Sequence, residues 1–171
     1  MPQLSYPEVF ENIGQTKSTN EKKAILREHE NRKYFKELLV YMFDPRIKFL
    51  YNKNTLPVYV PDDAPEGMNM TSIPHVLPRL GYFTEYSPLG DRSNNTKRNN
   101  LAISVLESVN SKESDLLALI MTNSKYPYSG LTEKLVRDTF PKLLGEVEKK
   151  SNKKEKEELQ DEQETKESTT P

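Results

Sequence analysis

Two clusters of polar and basic residues carry the chemistry this sequence offers. Thr96-Lys97-Arg98-Asn99-Asn100 sets two cations and two amides at the head of a helical pattern. Ser129-Gly130, with Lys125 just before it and Lys134 just after, repeats the arrangement. Free N–H groups at a helix start attract anions, and lysine or arginine beside them supplies charge, so both clusters suit a protein that grips phosphates without reading sequence. The structural alternative for each is plain helix capping beside a solvated basic face. On these grounds Lys97, Arg98, Asn100, Lys125, Ser129, Gly130 and Lys134 are the candidate contacts.

Catalytic constellations are not evident. The chain has no Gly-x-x-x-x-Gly-Lys-Ser/Thr loop, no Gly-x-Ser-x-Gly elbow and no His-Glu-x-x-His pair. Asp62-Asp63 reads as a solvated turn, because a hard cation needs more converging oxygens than two adjacent carboxylates give. His75, between Pro74 and Val76, reads as a partly buried packing residue, since no partner can be named for it. The expectation is a protein without catalytic residues, metal or cofactor. It contains no cysteine, which excludes disulfides and thiolate chemistry. No long apolar run or signal-like start occurs, so a soluble, cytoplasmic chain without membrane contact is expected.

Most of the elements that must position these clusters are legible as helices. Pro7 to Gly14 reads as a short helix with Val9, Phe10 and Ile13 on one face. Ser18, three residues before Glu21, opens a helix from Thr19 to His29, with Ala24, Ile25 and Thr19 turned inward. Tyr34, Phe35, Leu38, Leu39, Met42 and Phe43 line one face of the strongest amphipathic run. Asp44-Pro45 ends it and reads as the cap of one more short helix through Ile47, Phe49, Leu50 and Tyr51. Leu101, Val105, Leu106 and Val109 stripe a helix capped by Thr96, and Leu116, Leu117, Leu119 and Ile120 stripe a second capped by Ser111. Ser129 or Gly130 then starts a last helix that stops at Pro141.

Prolines cluster from Pro45 to Pro78 and weaken the helical signal from Asn54 to Asn95, where a long surface excursion over Asp62 to Asn69 and one short helix around Ser72 to Leu80 are expected. The segment from 86 to 95 reads as a loop. Past Gly145 nine acids and six lysines stand among Gln, Ser and Thr. Such a stretch buries too little apolar surface to offset its chain entropy. The expected architecture is an all-α domain, 1–144, of about six to eight helices with a long proline-rich central loop, followed by a disordered, charged tail, 145–171. Over 171 residues the formal net charge is −1 and the mean hydropathy −0.82. The folded part is faintly basic, far from the excess that would by itself announce a nucleic-acid binder.

Longer stretches resemble a known family. Ile13-Gly14, Thr16-Lys17, Lys22-Lys23-Ala24-Ile25-Leu26 and the aromatic-rich run to Phe43-Asp44-Pro45-Arg46-Ile47-Lys48-Phe49 resemble the opening of ATP-dependent DNA ligases of the T-even bacteriophage type. Asn100-Leu101-Ala102-Ile103 is similar to that family's Asn-Ala-Ala-Ile helix start, and Ser129 to Leu144 to the segment closing its N-terminal DNA-binding domain. The likeness covers residues 8 to 53 and 97 to 144. It implies a helical domain that clasps duplex or nicked DNA through its phosphates, across the minor groove, with Asn100 and the Ser129-Gly130 turn as matching positions. Departures are Asn99 for a glycine, Tyr126-Pro127-Tyr128 for a small-residue turn, and Arg137-Asp138 for Asn-Lys. The Lys-x-Asp-Gly motif, whose lysine carries AMP in nucleotidyltransferases, is absent.

The resemblance therefore implies a non-catalytic accessory in phage DNA replication or repair, or half of a split ligase whose catalytic chain is separate, in the host cytoplasm. The alternative expectation is a phage protein-interaction module that binds a replication or transcription protein.

Overall fold

A computed structural model describes residues 3–65, 68–85 and 94–146. Among them are seven α-helices, one 3-10 helix and no strand. The first helix, α1 (Tyr6–Gln15), starts at Ser5, whose hydroxyl accepts from Glu8 N–H while the Glu8 carboxylate accepts from Ser5 N–H at 2.6 Å. This reciprocal cap satisfies two orphan donors of the first turn. It buries Tyr6, Val9, Phe10 and Ile13.

Ser18 caps α2 (Thr19–Glu28) as its spacing from Glu21 predicts. The inward face differs from expectation. Leu26 is the buried residue, Ile25 is half-buried, and Ala24 and Thr19 are exposed. Ten residues give too few turns for a thin stripe to fix the phase of the helix, and one large aliphatic side chain decides it.

Phe35, Leu38, Leu39 and Met42 are buried on α3 (Phe35–Phe43), with Tyr34 and Phe43 half-buried beside them. Tyr34 enters this helix at φ 61°, a left-handed conformation that costs an L-residue roughly 1–2 kcal/mol. Half-burial of its ring against the core offsets that cost.

The helix expected over Ile47 to Tyr51 is replaced by extended chain. Phe49 forms an antiparallel bridge with Thr84, Leu50 N–H donates to Phe83 C=O at 2.8 Å, and Glu85 N–H donates to Lys48 C=O at 2.8 Å. A short apolar run does not by itself separate helix from strand, and here Phe49 and Tyr51 are buried beside Tyr41 and Phe83.

The excursion that follows is pinned to the body. Val60 N–H donates to Glu107 at 3.0 Å, Asp62 forms a parallel bridge with Asn110, and Ile73 N–H donates to Glu113 at 3.3 Å. Asp62 also accepts from Ala64 N–H and the Asn69 amide, as a turn does. The expected short helix is α4 (Ile73–Val76), continuing as the 3-10 helix Leu77–Phe83. His75 is exposed rather than partly buried, and its Nδ1 accepts from Ser72 N–H. The loop expected over 86 to 95 falls, up to residue 93, outside the described residues.

The remaining helices are α5 (Asn95–Glu107), α6 (Ser111–Met121) and α7 (Glu133–Thr139). Asn94 rather than Thr96 caps α5, and Asn110 rather than Ser111 caps α6. In both places an asparagine stands shortly before the expected hydroxyl residue, and it caps at least as well. Of the expected stripes Val105, Leu106, Val109, Leu116, Leu117 and Ile120 are buried, while Leu101 and Leu119 are only half-buried. Burial of each such aliphatic side chain contributes about 1.5–3 kcal/mol. Helix α6 packs between α5 and α1, while α7 lies on α2. Leu144 is the last core residue, and all but the first two residues of the expected tail lie outside the described residues.

Candidate functional site

The first cluster sits on the opening turn of α5. Asn94 Oδ1 accepts from Lys97 N–H at 2.8 Å, and the turn contains no acidic residue. Lys97 and Asn100 are exposed. Arg98 is half-buried, with Nη1 donating to Asn95 Oδ1 at 2.9 Å. Asn99, the departure from the ligase pattern, accepts from the Tyr51 hydroxyl at 2.8 Å and fixes the rotation of α5 against the Phe49–Tyr51 segment.

The second cluster is built differently from expectation. Neither Ser129 nor Gly130 starts a helix. The chain turns at Tyr128–Leu131, with Leu131 N–H donating to Tyr128 C=O at 3.2 Å, and α7 begins after Thr132, whose hydroxyl accepts from Leu135 N–H. Gly130 is at φ 75°, a left-handed conformation that ends regular helix and favours glycine. Lys134 is therefore in the first turn of a seven-residue helix, separate from the turn itself. Ser129, Gly130, Lys125 and Lys134 are all exposed.

Three contacts, from α1 and α2, seat this turn. The Tyr128 ring lies 5.5 Å from that of Phe10 on α1. Gly14 lets the chains approach, since a Cβ there would stand 3.3 Å from Ser129 N. Lys22 on α2 donates from Nζ to Ser129 C=O at 3.4 Å. Burial pushes the Tyr128 hydroxyl up to about 12, with Glu11 and Asp115 adding to the effect. Tyr126, in the same connection, donates to Met42 C=O at 3.2 Å and packs edge-on against Phe43.

The two clusters are thus tied to different neighbours, α5 to the Phe49–Tyr51 segment and the Ser129-Gly130 turn to α1 and α2. Their cations share one property. Among the described residues Lys22, Lys97, Lys125 and Lys134 have no carboxylate within ion-pair distance. Several other cations are paired: Lys23 with Asp138 at 3.6 Å, Lys112 with Glu11 at 3.4 Å, and Arg137 with Glu133 at 2.7 Å. Asp138, the anion that departs from the ligase pattern, is thereby directed at Lys23.

A separate polar cavity of about 340 Å³ lies where the starts of α1, α4 and α6 meet, lined by Ser5, Glu8, Arg32, Ser72, Asn110 and Glu113 among others. Its carboxylates act on backbone: Glu8 on Ser5 N–H, and Glu113, 3% exposed, on Ile73 N–H. Arg32 lies 4.5 Å over the Tyr6 ring and donates to Leu4 C=O at 2.7 Å, and burial lowers its pKa. This arrangement joins three helix starts and straps down the N-terminal segment.

At the other end of the chain Asp44 holds a clasp, although its sequence reads as a helix start. Its buried carboxylate accepts from Arg46 N–H, from both arms of the Arg46 guanidinium at 3.0 and 2.8 Å, and from Gly145 N–H at 3.1 Å. These donors pull the Asp44 pKa down to about 2. Arg137 closes the clasp by donating to Gly145 C=O at 2.8 Å.

Fold and surface together define an all-helical module. A family of unknown function (DUF6433) matches residues 9–125, more than half of the chain, and the chain belongs to that family. No curated protein matches the sequence. Among the described residues no helix is long and apolar enough to cross a membrane, and no group of three His, Asp or Glu could hold a metal ion.

Proposed function

We propose that this chain is a non-catalytic module that binds duplex DNA through its phosphates, without sequence preference. It would serve as an accessory, or as the separate DNA-binding half of a split ligase, in phage DNA replication or repair. The observation that carries the reading is that Lys97, Lys125 and Lys134 are exposed and, among the described residues, without a carboxylate partner. The resemblance of Asn100-Leu101-Ala102-Ile103 and of Ser129 to Leu144 to the phage ligase DNA-binding domain supports it.

Binding of the full chain to nicked and intact duplex at two salt concentrations tests the reading. Each neutralised phosphate releases counterions, so affinity should fall steeply as salt rises. Lys97→Ala should weaken binding to every sequence alike and lower the salt slope by about one. A binding constant indifferent to salt would exclude a phosphate grip.

One observation favours a second reading, a protein-interaction module for a replication or transcription protein. Val58, Val60, Met68 and Met70 are 92%, 74%, 76% and 99% exposed, all on the central excursion. Exposed large apolar side chains on one excursion suit a protein partner better than a phosphate backbone. Val60→Ser with Met70→Ser should leave DNA affinity unchanged, and a DNA-bound partner lost on that change would favour this reading.

A further inference from the structure

The sequence marks Ser129, Gly130, Lys125 and Lys134 as candidate contacts, and Lys22 only as part of a stretch that resembles phage ligases, 107 residues away from the turn it touches. In the fold its ammonium occupies the place where a side chain at position 130 would be. An ideal Cβ on Gly130 would stand 2.0 Å from Lys22 Nζ. Glycine at φ 75° thus serves two ends: it allows the turn, and it leaves room for the ammonium directly over the backbone.

Among the described residues the carbonyl oxygen of Ser129 is the partner of this ammonium, and no carboxylate neutralises it. An ammonium has three donors, and one carbonyl uses one of them. The neighbouring acids are occupied, Asp138 by Lys23 and Glu133 by Arg137. Ser129, whose carbonyl receives the ammonium, is itself exposed on the same turn. The turn is held by Phe10, Gly14 and Tyr128 packing, so a ligand meeting it would have little backbone left to order.

We propose that Lys22 is a phosphate-contacting residue of the DNA-binding face, held over Gly130 so that its ammonium and the Ser129 hydroxyl meet one backbone phosphate together. This rests on the DNA-binding reading and adds a contact that the linear sequence separates from the turn. It differs from Lys23, whose charge is spent on Asp138.

The test compares full-length wild type, Lys22→Gln and Lys22→Arg binding to one duplex across a salt series, with thermal melting of each. Gln removes the charge and keeps a donor amide one bond shorter, and the melting temperature reports whether the turn stays seated without the ammonium. The expected result is roughly fivefold weaker binding at low salt for Lys22→Gln, with a salt slope smaller by about one and an unchanged melting temperature, and substantial recovery in Lys22→Arg. Lys22→Met, which keeps most of the length of the side chain without its charge, should weaken binding likewise, and it carries the test if Lys22→Gln melts early. Wild-type binding with the slope unchanged in Lys22→Gln overturns the role of Lys22 and leaves the DNA-binding reading standing. No wild-type binding at either salt overturns both.

Discussion

The Asp44 clasp and the Ser129-Gly130 turn use the same materials to opposite ends. Each joins the first third of the chain to its last third, each has a basic side chain beside a glycine, and each depends on contacts more than a hundred residues apart in sequence. At the clasp the cation is matched: Arg46 forks onto a carboxylate whose side chain is 1% exposed. At the turn, among the described residues, the cation meets a carbonyl and no carboxylate. Charge satisfied by charge holds a fold together, whereas charge left to solvent remains available to a ligand. The contrast separates a cation committed to the fold from one that the proposed phosphate grip can use, in a chain whose overall charge says nothing about either.

The largest break in that contrast comes from Asp44. Asp44→Ala removes the acceptor of four hydrogen bonds from Arg46 and Gly145, and should cost about 2 kcal/mol in urea unfolding. DNA affinity per folded molecule should not change, and a large loss of binding at full stability would mean that the clasp belongs to the interface.

Acid gives a comparable but graded effect. The Asp44 pKa is held down to about 2 in the fold from an ordinary 3.8, so its contribution is complete above the ordinary value and is lost as pH falls through about 2. A stability profile over this range should be flatter in Asp44→Asn than in wild type. Alkali should act on the turn instead. Tyr128 is raised to about 12 by burial, so its contribution is complete below pH 10 and is lost as pH rises through about 12. Absorbance of tyrosinate should show a late-ionising group absent from Tyr128→Phe.

The smallest effect on stability sharpens the comparison most. Asp138→Lys breaks an exposed pair with Lys23 worth less than about 1 kcal/mol. It should nevertheless raise DNA affinity and the salt slope by adding a cation near the turn. Unchanged binding would place α7 away from the DNA.

How far the chain could be read in advance follows the range of the interactions. Helices α1, α3, α5 and α6 carry wide apolar stripes, and Ser18 announces α2, so their existence was legible from spacing within one or two turns. Caps were displaced because Asn94 and Asn110 compete with neighbouring Thr96 and Ser111, and only packing chooses between them. Ile47 to Tyr51 was misread because its bridge partner, Thr84, lies far along the chain. The Ser129-Gly130 dipeptide was itself a turn signal, and giving it that weight would have moved the start of α7 to Thr132. Nothing local sets Lys22 apart from Lys23 in the ligase-like stretch, and Asp44-Pro45 has the same letters whether the aspartate opens a helix or receives Gly145.

The excursion after Asn54 has a consequence for how the chain assembles. Its attachments to Glu107, Asn110 and Glu113 come from residues synthesised some forty to fifty positions later, and those of Gly14, Lys22 and Asp44 from residues later still. On the ribosome the first helices must wait with an apolar face uncovered, and their folding is postponed until the chain beyond Tyr128 has emerged, despite an all-helical architecture. A truncation that stops before Tyr128 would leave α1 and α2 without their seat, and the nascent chain would be a client for chaperones rather than a smaller version of the same module.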